Sequence, residues 1–196
     1  MKNEIILAPT FDSINTSREI LGLVSHGMTL LKSNETCREL ANGLAEILVV
    51  TSYPPRECGI ATYSQDLIRA INNKFNNSLC LKVCALESSE TNYSYPGEVK
   101  YVLKTSIAAE YEILARKINL NNRIKLVLIQ HEFGLFQKQE NAFTQFLFEL
   151  SKPVVIVFHT VLPHPDVQLL SKIKHITSVC QSIIVMTQSS ADILSN

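Results

Sequence analysis

Apolar residues recur along this chain with two spacings that alternate, and the alternation predicts its layout. Ile47 to Val50 is a short unbroken apolar run that ends at Tyr53-Pro54-Pro55, a stop signal for a buried strand. After a loop from Pro54 to Gly59, the residues Ile60, Tyr63, Leu67, Ile71 and Phe75 return every three or four positions and predict one face of a helix. Leu79 to Leu86 predicts a second strand, and Val99 to Leu103, behind the turn signal Tyr95-Pro96-Gly97, a third. Ile107, Tyr111, Leu114 and Ile118 mark the next helix. Ile124 to Ile129 is a fourth strand, almost wholly apolar. Phe143, Phe146, Leu147 and Leu150 predict a helix that stops before Pro153. Val154 to Phe158 is a fifth strand, Val167 to Val179 a helix and Ile183 to Met186 a sixth strand. Ser189 and Asp192 have capping-box spacing, so a last short helix is expected to begin near Ser189.

Strands that alternate with helices imply βαβ units and a parallel sheet. Near-continuous apolar strands fit a sheet covered on both faces. The expected class is α/β, a Rossmann-like, doubly wound, mostly parallel sheet of six strands between Ile47 and Met186. Residues 1–45 stand apart as an extension of unknown role. Ser17 to Leu31 has Ile20, Leu23, Val24 and Met28 near one helical face, but Gly22 and Gly27 weaken that pattern.

Composition narrows the class of protein. The chain has 196 residues and a formal net charge of zero, enough for one domain with a real core and no electrostatic reason to expect a nucleic-acid partner. Arg116, Lys117, Arg123 and Lys125 form a small basic cluster, either a solvated helix end and loop or a peripheral contact with anionic lipid or a phosphorylated acceptor. No apolar run reaches the roughly 20 residues that span a bilayer. The N-terminus lacks a secretory pattern, so a cytoplasmic location is expected. Five cysteines without framework spacing agree with a reducing compartment. Cys80 and Cys84 sit on one strand about 13 Å apart, too far to share a zinc ion. Cys58 falls in a loop.

In an open α/β sheet, ligands bind beyond the carboxyl ends of the strands, where the strand order reverses. The usual doubly wound order makes the first and fourth predicted strands neighbours there. Polar residues and glycines gather after those ends: Arg56 to Ile60, His131 to Gly134, His159-Thr160, and Thr187 to Ser190. Gly59 opens a helix whose N–H groups and positive end can hold a phosphate, or it simply makes the turn. Neither a G-x-G-x-x-G nor a G-x-x-x-x-G-K-[ST] is present, which argues against dinucleotide and P-loop chemistry. His131 and Glu132 are adjacent on a strand end, so their side chains are expected to diverge. His131 is expected to face the loop around Gly59, where it can donate a hydrogen bond to a sugar hydroxyl or steady developing charge. A metal site from His131, His159, His164 and Asp166 has the right ligand types but no standard spacing, so no metal is assigned.

These segments resemble glycosyltransferases of the family 4 type, which have the two-domain GT-B fold. The matching pieces are Ile47 to Tyr63, Gln130 to Phe136, Pro153 to Thr160 and Ile183 to Leu194, and together they span residues 46–196. The resemblance implies a first, acceptor-side domain of a retaining enzyme that moves a sugar from a nucleotide-sugar to a saccharide or lipid-linked acceptor. No cofactor is implied beyond that nucleotide-sugar co-substrate. By position it implies that His131 meets the transferred sugar. It likewise implies that Arg56, Gly59, Ile60, Glu132, His159 and Thr160 line the donor phosphates or the acceptor. Cys58 replaces the first of the family's two loop glycines. The second, donor-binding domain is not in the chain, so the chain alone is expected to be inactive. Two other readings remain: a non-catalytic binding module that pairs with another chain, and a small-molecule hydrolase or metalloenzyme on a similar sheet.

Overall fold

The computed structural model describes residues 4–7, 44–75, 79–88, 90 and 92–195, and of residues 4–7 only the backbone. The elements run β1 (Glu4–Leu7), β2 (Glu46–Thr51), α1 (Gly59–Lys74), β3 (Cys80–Glu87), β4 (Val99–Lys104), α2 (Ala108–Leu120) and β5 (Ile124–His131). They continue with α3 (Phe133–Phe136), a 3-10 turn (Gln137–Gln139), α4 (Glu140–Glu149), β6 (Val154–Phe158), α5 (Val167–Val179), β7 (Ser182–Val185) and α6 (Gln188–Ser195). The expected class holds: an α/β Rossmann-like sheet, parallel at every pairing among the described residues.

The strand order is β1-β7-β6-β5-β2-β3-β4. The chain therefore builds outward from β2 to β4, returns to β5 on the other side of β2, and builds outward again. The order reverses between β2 and β5, as expected. One strand was not expected. β1 lies in the segment set aside as an extension, and it pairs with β7 from Glu4↔Ser182 to Leu7↔Val185. The predicted helix from Ser17 to Leu31 lies outside the described residues.

Alternation along each strand sorts the core into two layers. Leu48, Val50, Cys84, Leu86, Ile129, Ile156, Phe158 and Val185 face one side, where Tyr111, Leu114 and Ile118 of α2 and Phe143, Phe146 and Leu147 of α4 cover them. Ile47, Val49, Leu81, Val83, Ala85, Leu128, Val155 and Val157 face the other, against Ile68 and Ile71 of α1. The last helix begins at Gln188, near the expected Ser189, but its cap is not the Ser189–Asp192 pair. Thr187 caps it by accepting the Ser190 N–H at 3.1 Å, while Asp192 accepts from the Gln188 amide at 2.8 Å. Cys58, Cys80, Cys84 and Cys180 are free thiols, and burial pushes the Cys180 thiol up to about 12.

One polar group stands inside the start of the sheet. Glu46 opens β2 with its side chain buried, and its carboxylate pairs with Lys100 on β4 and, at 3.2 Å, with Arg123 in the turn before β5. The predicted basic cluster thus has one member committed to a core carboxylate, and Arg116 pairs with Glu112 along α2. The two sides of the Glu46 network are unequal. Neutralising the glutamate leaves two cations that can reach water, whereas removing Lys100 leaves a buried anion with one partner. Lys100→Met is therefore expected to cost about 2–4 kcal/mol and Glu46→Gln nearer 1 kcal/mol, measured by urea unfolding. The reverse ranking would mean that Lys100 contributes little.

Candidate functional site

The mouth of the sheet lies at the carboxyl ends of β2, β5 and β6. At β2, buried Thr51 shares a 2.6 Å hydroxyl–hydroxyl hydrogen bond with Ser64, which fixes α1 against the strand end. Tyr53 is also buried, and its hydroxyl donates to Glu98 at 3.0 Å; burial and then Glu98 push its phenol up to about 12. The loop between them, with a cis Pro54–Pro55 bond, delivers the chain to α1.

The start of α1 is open. Cys58 is the N-cap residue but makes no side-chain capping bond, and the first turn carries no acidic residue. The first N–H groups thus keep their partial positive charge without a protein side chain to neutralise it. Gly59 is not in the left-handed backbone region, and a Cβ built there would meet no atom within 4 Å. The turn does not need a glycine, which removes the simple steric account of this residue. Ile60 follows it, half-buried in the first turn.

One turn further, the Tyr63 ring meets the His159 ring edge to face at 5.1 Å. His159 follows β6, and its Nε2 lies 2.7 Å from Oε1 of the buried Gln130 on β5. With an amide oxygen as partner, Nε2 carries the proton and Nδ1 remains the acceptor. Burial lowers the His159 pKa and the neighbouring Glu132 works the other way. Glu132 holds two bonds: it accepts the Phe133 N–H at 3.1 Å and the Thr160 hydroxyl at 2.7 Å. The structure therefore brings together His159, Thr160, Glu132 and, through Tyr63, the helix that Gly59 opens. Sequence reasoning gave Gln130 no role. Its signal is a polar residue closing the apolar run Ile124 to Ile129, but its partner becomes visible only with the β5–β6 register.

Two expected members are elsewhere. Arg56 turns toward β3, where Nη1 donates to the Leu86 carbonyl at 3.4 Å. His131 does not face the Gly59 loop. It is opposite Phe158 in the register, so its ring points to the α4 side of the sheet while Gln130 and His159 point to the α1 side. His131 is also part of the core rather than an open strand-end side chain. The ring is 3% exposed and packs among Phe133, Phe136, Phe143 and Phe158 at centroid distances of 5.2, 5.6, 5.5 and 4.9 Å. Its Nδ1 has no hydrogen-bond partner among the described residues. Burial, and secondarily His159, lowers its pKa to about 4, so the ring is neutral.

Asp166, one of the four residues weighed for a metal, instead caps α5 by accepting the Leu169 N–H at 2.7 Å, and His164 is exposed. Among the described residues, no three His, Cys, Asp or Glu side chains stand together so as to hold a metal ion. None of the described helices is long and apolar enough to cross a membrane.

Comparison with known proteins adds little to this geometry. No protein-family model matches the chain, and no curated protein matches it. Among solved structures, the chain is similar to an alpha-glucosyltransferase in complex with UDP and a 13-mer DNA containing a central A:G mismatch. The TM-score is 0.48 and the identity 12%, over 75% of this chain and 40% of that one. This chain therefore spans well under two thirds of that protein's length.

Two expectations follow from the site. In the unfolded chain His131 titrates near 6.5, and in the fold near 4. Between those values only the unfolded chain holds the extra proton. The stabilising preference for neutral His131 is thus complete above pH 6.5 and is lost as pH falls toward 4, a total of about 3 kcal/mol. His131→Ala is expected to cost about 2–4 kcal/mol at neutral pH, whereas His131→Phe keeps the fold and flattens the acid limb of stability against pH. Denaturant unfolding across that range measures both, and an unchanged acid limb in His131→Phe would assign the acid sensitivity to other groups. Gly59→Ala is expected to leave stability equal or raise it by about 0.4–1 kcal/mol, read from thermal unfolding. A loss of that size would show that the glycine serves the fold.

Proposed function

We propose that this chain is the acceptor-side half of a retaining glycosyltransferase of the GT-B, family 4-like kind. It would act with a donor-binding domain to move a sugar from a nucleotide-sugar to a saccharide or lipid-linked acceptor. The observation that supports this reading best is the pairing of two features at the reversal of strand order. One is an uncapped helix start, opened by a glycine with free space around it. The other is a set of polar side chains beside it: His159, backed by Gln130, with Glu132 and Thr160. The helix start suits the donor phosphates, since oriented N–H groups stabilise negative charge that grows as the sugar leaves. The polar set suits sugar hydroxyls, with His159 Nδ1 as acceptor and the Thr160–Glu132 pair holding the loops in place.

In this reading the contact with the transferring centre falls to His159 rather than His131. The His131 ring is enclosed by phenylalanines on the far face, where a sugar has no approach without displacing core side chains. His131 then acts as a positioning residue: it packs behind the strand end that presents Glu132.

The test is transfer from a panel of nucleotide-sugars, with the anomeric configuration of the product read by NMR. The 196 residues alone are expected to give negligible turnover, and the same chain joined to a donor-binding domain is expected to transfer with retention. In that two-domain protein His159→Ala should lower kcat about a hundredfold to a thousandfold with the unfolding midpoint nearly unchanged. Robust turnover by the single domain would overturn the half-domain role. No transfer from any donor by the two-domain protein would overturn the activity itself.

A further inference from the structure

Gln130 stands on the α1 side of β5, opposite Val157 of β6, and is 0% exposed. The positions around it on that face are apolar: Leu128 and Leu126 before it on β5, Val155 and Val157 on β6, and Val49 on β2. Its Oε1 lies 2.7 Å from His159 Nε2, while its own Nε2 has no hydrogen-bond partner among the described residues. An enclosed amide with unmatched N–H groups is destabilising, and a leucine of similar size would suit these surroundings better. The packing of the sheet therefore does not account for a glutamine here. What the amide does, and a leucine cannot, is offer an oxygen to the His159 ring.

An amide oxygen only accepts, so the nitrogen that it meets must donate. The neutral ring then has its proton on Nε2 and its lone pair on Nδ1. Being uncharged, the amide fixes the place of that proton without drawing a second one onto the ring, as a carboxylate would. The ring is half-buried, and Tyr63 of α1 holds it edge to face at 5.1 Å. The titratable groups around it are Tyr63, Glu132 after β5, and His131, which feels its charge from the other face of the sheet. Burial outweighs Glu132 and lowers the His159 pKa from its ordinary value.

We propose that Gln130 is a positioning residue: its amide oxygen keeps the His159 proton on Nε2, so that Nδ1 meets a ligand as a hydrogen-bond acceptor. This position then takes a sugar hydroxyl, which can donate, and turns away a phosphodiester, whose oxygens can only accept. The step from tautomer to turnover rests on the transferase reading; the tautomer itself does not.

The test is long-range 1H–15N NMR of the histidine rings in the labelled 196-residue chain, with the His159 signals identified by their loss in His159→Phe. The parent is expected to show Nε2 protonated and Nδ1 bare near neutral pH. Gln130→Leu is expected to hold or raise the unfolding midpoint and to move the ratio of the two tautomers about tenfold toward Nδ1–H, the factor that one hydrogen bond supplies. Gln130→Glu is expected to keep the proton on Nε2 and to raise the pH at which His159 titrates by about 1 or more. In the two-domain protein the acid limb of kcat should move up with it. A parent ring protonated on Nδ1, or a Gln130→Leu ring that keeps its tautomer, overturns the proposal. So does a large drop in midpoint, or loss of folding, in both Gln130→Leu and Gln130→Met, since the amide would then serve the fold. An acid limb that stays in place in an active Gln130→Glu enzyme overturns the link to turnover. If the two-domain parent transfers nothing, the transferase reading fails, and the ring measurements still decide the role of Gln130.

Discussion

A parallel sheet covered on both faces has only its two ends at which to carry polar side chains cheaply. Every layer of this protein follows from that constraint. The middle of the inner strands is apolar on both sides, as in Leu48 to Val50, Val83 to Leu86 and Val154 to Phe158, because both directions lead into packed helices. Polar groups are therefore pushed to the first and last residues. Glu46 holds one end together with two cations, and Thr51, Glu87, Gln130, His131 and His159 gather at the other. Strand order then decides which of those last residues become neighbours. Because β5 returns beside β2, the start of α1 and the ends of β5 and β6 share one opening.

Alternation within a strand divides that opening further. Gln130 and His131 are consecutive, yet one joins a hydrogen-bonded pair with His159 and the other sits among four phenylalanines. The two histidines thus illustrate opposite solutions to burial. His159 keeps one nitrogen bonded and one available, with a carboxylate nearby. His131 gives up its proton affinity and serves as an aromatic ring with an unused nitrogen. Two groups of the same type, one strand apart, are chemically distinct because a single step of register separates the faces they occupy.

Much of this was legible in the sequence. The apolar runs located six of the seven strands, and the bounds of β6 and α5 coincide with the spans read from the pattern. What failed did so for physical reasons. β5 extends through Gln130 and His131, beyond the apolar run, because its last residues line the mouth of the sheet. β1 stands apart from the regular alternation of strands and helices, and its partner is distant in the chain. The face of His131 depends on pairing with Phe158, a property of two strands together. The same is true of Glu87: the sequence shows an acid closing an apolar run, but not that its carboxylate accepts the Tyr93 backbone N–H.

The place of β1 has a consequence for how the sheet comes together. Glu4–Leu7 pairs with Ser182–Val185, a strand far along the chain. Pairings between β2, β3 and β4 close short loops and can form early, while this contact closes a much longer one. Until it forms, β7 has an open edge on that side, with unpaired N–H and C=O groups that another chain could match. β1 is thus a closing piece: it pairs across a long span of chain and shields the side of β7 that would otherwise invite association.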